Sequence, residues 1–194
     1  LAFILEEGLT MKEFWEVLVT IKFAAEKAGV QIVTGDTKVV ERGKGDKIFI
    51  NTSGIGVVHH KAQINKARVK PGDKIILSGA IATHGVAILS IRQGLEFESD
   101  IATDSTNLNH TVASLLDVFG EKIHLLHDPT RGGVAAVLNE MARDTNLGVD
   151  LKENALPVHD VVASACELLG LDPLYVANEG VFLAVVDPEI ADAF

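Results

Sequence analysis

Residues 10–40 read TMKEFWEVLVTIKFAAEKAGVQIVTGDTKVV and place a long amphipathic helix before β-forming sequence. Thr10 followed by Glu13 is a capping box, and Gly29 is typical of a helix end. Between them, apolar residues recur at helical spacing; they are Met11, Phe14, Leu18, Ile21, Ala25 and Ala28. We expect a helix up to Gly29, followed by a short apolar run at 30–34 and a hairpin that joins residues 37–40 to a β-rich stretch at 47–58.

The rest of the chain mixes strands and helices without regular alternation. Further strands are expected at 1–5, 75–78, 122–126, 149–151 and 181–186, and further helices at 83–93, 108–119, 134–141 and 158–169. Residues 59–69 are polar and aperiodic, and a turn at 70–73 follows them, so we expect a domain junction there. The irregular order favours a mixed α+β fold over a doubly wound sheet.

Composition narrows the functional class. With 47% hydrophobic residues in 194 positions, the chain can bury one good-sized core or two small ones. A net charge of −10 without basic runs disfavours nucleic acid or an anionic membrane as a partner. A single cysteine, Cys166, indicates a reducing compartment, so we expect the cytoplasm. Both ends read as interrupted elements, and we expect a fragment of a longer protein.

The segment Thr34-Gly35-Asp36-Thr37-Lys38 offers one candidate site. In an extended run, Asp36 and Lys38 project to the same side, because side chains alternate along a strand. Asp36 can accompany a polyphosphate when Mg²⁺ lies between the like charges, and Lys38 can meet a phosphate or transfer a proton. The alternative is a turn aspartate followed by a solvated strand lysine.

A second candidate is His127-Asp128-Pro129-Thr130-Arg131-Gly132-Gly133, which follows a strand and opens a helix. Helix N-termini bind anions, the glycines admit a ligand close to the backbone, and Arg131 suits phosphate. Asp128 is again placed to bring a metal to an anion. The alternative is an ordinary loop in which Thr130 caps the helix. The role of His127 stays open.

Two further residues have contrasting expectations. Glu179, between core-like segments, is expected to be partly desolvated and suited to acid/base work; the alternative is an ordinary loop residue. Cys166 lies within a predicted helix among apolar residues, and we expect an inert buried thiol. The sequence has no Walker loop, dinucleotide glycine pattern or zinc-ligand spacing.

Several blocks, in order, resemble the HypE family of hydrogenase maturation factors. They are residues 3–9, 34–40, 128–133, 155–158, 166–172 and 177–180, which together extend across nearly the whole chain. This family is part of the superfamily of aminoimidazole ribonucleotide (AIR) synthetase, selenophosphate synthetase and thiamine-monophosphate kinase, with a PurM-like fold. The resemblance implies part of an N-terminal α/β dimerisation domain at 1–60, a linker at 61–72, and a C-terminal α+β domain at 73–194 that is truncated at its end.

The resemblance also implies an activity. HypE receives a carbamoyl group on a C-terminal cysteine from a carbamoyltransferase, and uses ATP to dehydrate it to a thiocyanate. The cyano group then passes to an iron scaffold made by HypC and HypD, for nickel-iron hydrogenase. By this resemblance, Asp36 and Asp128 hold Mg²⁺ and Lys38 and Glu179 take protons. The ATP phosphates are then bound by residues Thr37, Arg131, Gly132 and Gly133.

We expect Asp36 and Gly132 to converge, across a domain boundary, on a magnesium-bound triphosphate. Cys166 does not occupy the position of the family's substrate cysteine, which lies in a C-terminal tail absent here. Two other interpretations stay open. One is another ATP-dependent member of the superfamily, such as a selenophosphate synthetase, which carries a reactive cysteine or selenocysteine near its N-terminus. The other is a non-catalytic maturation scaffold.

Overall fold

The computed structural model describes residues 1–94 and 101–194. The described residues divide into two compact units, Leu1–Val58 and His59–Phe194. Each unit has its own three-stranded sheet. None of the helices in these two described ranges is long and apolar enough to cross a membrane.

The first unit is a β-α-β arrangement with one added strand. It consists of β1 (Ala2–Glu6), α1 (Met11–Ala28), β2 (Asp36–Val40) and β3 (Ile48–Asn51). The sheet order is β2-β1-β3, in which β2 runs parallel and β3 antiparallel to β1. The predicted hairpin of 37–40 with 47–58 is therefore wrong, because the apolar β1 lies between these strands. The apolar run at 30–34 is the irregular end of the crossover that a parallel return requires.

Helix α1 has the predicted ends. The Glu13 amide donates to Thr10 Oγ1 at 3.2 Å, and the Thr10 amide donates to Glu13 Oε2 at 3.1 Å, which confirms the capping box. Gly29 ends the helix in the left-handed conformation. Phe14 packs edge-to-face on Phe3 of β1, with ring centroids 5.4 Å apart. Met11, predicted to share this apolar face, is instead exposed at the margin of the stripe.

The carboxylate of Glu6, at the end of β1, is hydrogen-bonded to the turn before β3. Glu6 accepts hydrogen bonds from the amides of Gly43 at 2.6 Å and Lys47 at 3.1 Å. These bonds stabilise the charged form, so they lower the pKa of Glu6 below its ordinary value. The turn therefore depends on an ionised side chain.

The second unit surrounds a sheet with the order β4-β6-β5. Its strands are β4 (Lys74–Leu77), β5 (Ile123–His127) and β6 (Leu183–Val186), and both outer strands run antiparallel to β6. Its helices are α2 (Thr83–Gln93), α3 (Asn109–Phe119), α4 (Gly133–Thr145) and α5 (Asp160–Leu169). The elements predicted in these places are confirmed. The strand predicted at 149–151 is wrong, because Val149 packs on the core without joining the sheet.

Burial on both faces of the sheet explains the continuous apolar run that ends in β6. Leu183 and Val185 pack in a core cluster with residues of α4, whereas Ala184 and Val186 pack in a second cluster that includes Leu116 of α3. Alternate side chains thus serve opposite faces, as the period of a strand requires. A third cluster joins α2 to α5 and contains Cys166.

Residues 59–69 belong to the second unit and pack against its other segments. The Asn65 amide donates to the His124 carbonyl at 2.9 Å, and Lys66 Nζ lies 2.6 Å from Asp144 Oδ2. Arg68 donates to the Glu121 carbonyl at 2.6 Å. Long side chains and backbone contacts hold this segment, and its apolar residues Ile64 and Val69 also pack on the core.

Candidate functional site

The first unit presents Asp36, Thr37 and Lys38 at the start of β2. They pair in register with Ala2, Phe3 and Ile4 of β1, and all three are exposed. The Thr37 amide donates to Asp36 Oδ1 at 2.8 Å, which orients the carboxylate along the strand. Asp36 and Thr37 also line a shallow pocket of about 370 Å³ with residues 32–35, Leu1 and Phe3. Strand geometry thus places Asp36 and Lys38 on one face, as the sequence predicts.

The second unit brings three chain segments to one end of its sheet. Leu183 at the start of β6 pairs with two residues in the antiparallel register. They are Leu77 at the end of β4 and His127 at the end of β5. The loops at 78–82, 128–132 and 176–182 therefore leave the sheet at one edge. Asp128, Arg131 and Glu179 come from two of these loops.

A buried asparagine, which the sequence analysis did not single out, ties the three loops together. Asn178 is 0% exposed. Its Oδ1 accepts from the Ala82 amide at 2.8 Å, and its Nδ2 donates to the carbonyls of Pro129 at 2.9 Å and Val176 at 3.0 Å. Every polar group of this amide is thus directed to backbone, which fixes the spacing of the loops. Its position in the Asn178-Glu179-Gly180 motif beside an apolar strand is the signal that could have found it.

The loop after β5 holds Asp128 at the surface. Thr130 Oγ1 donates to Asp128 Oδ2 at 2.7 Å, and His127 Nδ1 lies 2.8 Å from the Asp128 carbonyl oxygen. The alternative in which Thr130 caps the next helix is wrong, because its hydroxyl binds this carboxylate and the N-cap is Gly132 at φ 72°. Asp128 and Arg131 are both exposed and available to a ligand.

The two glycines have different neighbours. Gly133 is buried at φ 61°, and a Cβ there would collide with the carbonyl oxygens of Leu174 and Val176. Its amide donates to the Thr130 carbonyl at 3.2 Å. Gly132 is exposed, also at positive φ, and its nearest neighbour is Ala136 within the helix. Gly133 is therefore required because the protein's own backbone packs closely against it. At Gly132 the backbone is instead exposed, so a ligand can approach it.

Glu179 lies on the loop before β6 with an exposed side chain. The partial desolvation expected for it is wrong in this chain, because the buried strand starts only beyond Gly180. Its backbone amide donates to Asp104 Oδ1 at 3.3 Å. The carboxylate is therefore accessible on the same edge as Asp128 and Arg131.

Each unit offers a carboxylate that suits a hard cation also bound by phosphate. Within residues 1–94 and 101–194, no group of three or more His, Cys, Asp or Glu side chains could hold a metal ion. Mg²⁺ commonly binds one or two carboxylates and takes its other ligands from water and phosphates, so a dedicated protein cage is not needed. The exposed carboxylates of Asp36 and Asp128 are suitable for such binding.

Two other features lie away from this edge. Cys166 is 1% exposed, and its burial, followed by the charge of Asp172, raises the pKa of the thiol above its ordinary value, which agrees with an inert side chain. A cavity of about 900 Å³ lies between β4 and residues 147–157. None of the eight predicted site residues lines it.

Comparison with known families identifies the fold. Residues 70–194 match the family described as AIR synthase related protein, C-terminal domain, and residues 1–58 match AIR synthase related protein, N-terminal domain. The chain belongs to the AIR synthase related protein family. The α+β, AIR synthetase-like fold and the order of its two domain types, expected from the sequence, are thereby confirmed.

This AIR synthase related chain is similar in sequence to HypE proteins. It is 50% identical over 192 residues to carbamoyl dehydratase HypE of Bradyrhizobium diazoefficiens, a match that covers 99% of this chain and 56% of the relative. The expected resemblance to HypE is confirmed. The chain spans a little over half the length of the curated relatives it matches.

Two solved structures share the fold closely. Hydrogenase maturation protein HypE in complex with ATP superposes with a TM-score of 0.95 at 48% identity, over 99% of this chain and 57% of that one. A HypE–HypF complex gives a TM-score of 0.96 at 45% identity, over 99% of this chain and 63% of that one.

Proposed function

We propose that the full-length protein containing this chain uses ATP to dehydrate a carbamoyl group on a C-terminal cysteine thiol to a thiocyanate. The product donates the cyanide ligand to the iron of nickel-iron hydrogenase. The observation that carries this proposal is the 50% identity, over nearly the whole chain, to carbamoyl dehydratase HypE. A solved HypE in complex with ATP adds support for the nucleotide.

The reaction sets clear demands on the protein. An amide oxygen is a poor leaving group, and ATP supplies the phosphoryl group that turns it into a good one. Two protons must leave the amide nitrogen while the carbon–oxygen bond breaks, so the net change in the carbamoyl group is the loss of one water. The protein has to hold the phosphates, neutralise their charge and accept protons.

The candidate residues match these demands by their chemistry. Asp36 and Asp128 are exposed carboxylates for Mg²⁺. We assign the phosphate contacts to Thr37, Arg131, Gly132 and Gly133. The amides of Thr37 and Gly133 already donate within the protein, so we favour the Thr37 hydroxyl and the Arg131 guanidinium as donors. Of the two glycines, we favour Gly132 for close approach of a phosphate, because Gly133 is packed against the backbone carbonyls of Leu174 and Val176.

Lys38 and Glu179 are the proposed proton acceptors. Each is exposed and therefore accessible to a substrate. Lys38 lies two residues after Asp36 in β2, on the same face of the strand, so a group bound by the metal at Asp36 can come close to it. Glu179 is held at the sheet edge by its neighbour Asn178, whose amide is bonded to three segments.

We further propose the partners and the compartment. A carbamoyltransferase loads the tail cysteine, the iron scaffold of HypC and HypD receives the cyano group, and the enzyme works as a homodimer in the cytoplasm. A solved HypE–HypF complex supports docking of a maturation partner onto proteins of this kind. One surface on the first unit suits a partner, since Trp15 and Phe23 of α1 are both 66% exposed.

The test uses full-length protein carbamoylated on its tail. Addition of ATP and Mg²⁺ should remove the mass of one water from the modified cysteine, as measured by intact mass spectrometry. Lys38→Ala and Glu179→Gln should each slow this loss by about 10² to 10⁴-fold, the usual size of a proton-transfer contribution. Lys152→Ala and Glu153→Ala, both at exposed positions, are the matched controls. Wild-type turnover in both site variants would refute the assignment, and absence of any water loss in the unmutated protein would favour the scaffold.

A further inference from the structure

The loop that carries Glu179 touches a segment from another part of the second unit. Asp104 Oδ1 accepts the Glu179 amide at 3.3 Å. A Cβ at Gly180 would collide with the Asp104 carbonyl oxygen, and it would lie 3.3 Å from the Ser105 amide nitrogen. Glu179 and Gly180 therefore meet Asp104 through both its side chain and its backbone.

The segment around Asp104 is itself held in place. His84 Nδ1 lies 2.8 Å from Thr103 Oγ1, which lies 2.9 Å from Ser105 Oγ. The Ser105 amide also donates to Thr103 Oγ1 at 3.2 Å. Asp104 thus lies between two residues whose side chains are bonded to each other, and one of them is bonded to the start of α2. A segment held in this way can fix the position of the residue that it binds.

The carboxylate of Asp104 is retained at an energetic cost. Its Oδ2 is buried, and no hydrogen-bond partner for it lies within the described ranges 1–94 and 101–194. A buried polar atom without a partner destabilises a fold, so such atoms call for a specific reason. An apolar residue of similar shape, such as leucine, would avoid this cost but would lose the acceptor for the Glu179 amide.

We propose that Asp104 is a positioning residue that sets the orientation of Glu179 for proton removal. This inference rests on the proposed function, because it assumes that Glu179 acts on the carbamoyl nitrogen. Asp104 acts on the backbone of residue 179, and it does so without touching the substrate. A misplacement of about 1 Å in a reacting group can cost on the order of 10²-fold in rate.

The test measures single-turnover water loss in the full-length carbamoylated protein. Asp104→Ala should lower the rate constant by about ten- to a hundredfold while the apparent KM for ATP stays within about twofold. Asp104→Asn keeps an oxygen that can accept the amide hydrogen and should recover most of the rate. Asp150→Ala, an exposed aspartate elsewhere in the unit, should match the wild type. If Asp104→Ala does not fold, Asp104→Ser keeps a polar group, shortens its reach and gives the same comparison.

A double variant separates the two proposals. If Asp104 acts through Glu179, Asp104→Ala combined with Glu179→Gln should be no slower than Glu179→Gln alone. A slow Glu179→Gln with a normal Asp104→Ala overturns the positioning role and leaves the proposed function standing. A further loss of rate in the double variant also overturns the positioning role. The same holds if Asp104→Asn is as slow as Asp104→Ala. A normal Glu179→Gln overturns the assignment of Glu179 and the positioning role with it.

Discussion

Replacement of Asn178 by alanine removes the amide that joins three loops of the second unit. The Ala82 amide, on a residue that is 0% exposed, loses its acceptor, and the carbonyls of Pro129 and Val176 lose a donor. Pro129 keeps a second bond from the backbone amide of residue 178. The substitution thus leaves one buried donor and one carbonyl without the partner they had.

The magnitude follows from these losses. A buried donor or acceptor left without a partner costs about 1–3 kcal/mol, so the Ala82 amide and the Val176 carbonyl together predict about 3–5 kcal/mol with the small void included. Such a loss is a large part of the roughly 5–15 kcal/mol that stabilises a typical domain. Asn178→Asp keeps the acceptor for Ala82, but it places a carboxylate against two carbonyl oxygens, and we expect a loss at least as large.

The assay is urea-induced unfolding of the full-length protein, followed by circular dichroism. Asn178→Ala should shift the midpoint down while the slope stays unchanged. Asn154→Ala, at an exposed position, is the matched control and should unfold with the wild type. A loss below about 1 kcal/mol for Asn178→Ala would show that the loops hold their spacing without the amide, which would refute the reasoning.

Three further predictions concern single positions. Gly133→Ala should destabilise the protein by about 2 kcal/mol or more in thermal melts, because a positive φ and the neighbouring backbone both oppose a side chain there. Gly148→Ala, with open space around it, is the control and should be nearly neutral. Glu6→Gln should lower the free energy of unfolding at neutral pH. The difference from the wild type should shrink as the pH falls below the ordinary glutamate value of 4.5 and through the lowered pKa of Glu6, because protonation removes the stabilisation. A difference that stays constant down to about pH 3 in unfolding curves would contradict this. Thr10→Ala should cost about 1 kcal/mol through the lost cap of α1, and an unchanged midpoint of chemical denaturation would argue against that role.

The parts of the fold that could be predicted from sequence are those with local causes. Helix α1 was predictable because its capping residues are neighbours in sequence, and its Gly29 end needs only a left-handed φ. The hairpin of β2 with β3 was wrong because strand pairing is set by non-local contacts, and β1 takes the place between them. Sequence alone indicates that two strands exist, and it does not indicate which third strand separates them.

The candidate site shows the same division. The acidic and glycine-rich motifs stand out as short patterns, and the antiparallel register then brings Asp128 and Glu179 to one edge. Asn178 does not stand out, because its bonds reach residues 96 and 49 positions away as well as one only two positions away. The alternative that made Thr130 a cap rested on its place before a helix, but a carboxylate two residues earlier competes for its hydroxyl.

The order of strands in the second unit affects how a nascent chain acquires this fold. β4 and β5 each pair with β6, which is the last of the three to be synthesised and lies between the other two. Until Val186 has left the ribosome, the backbone edges and apolar faces of the earlier strands have no template to join. Translation must therefore pass Val186 before these three strands can pair, and until then the unpaired strands are exposed to aggregation or to chaperones.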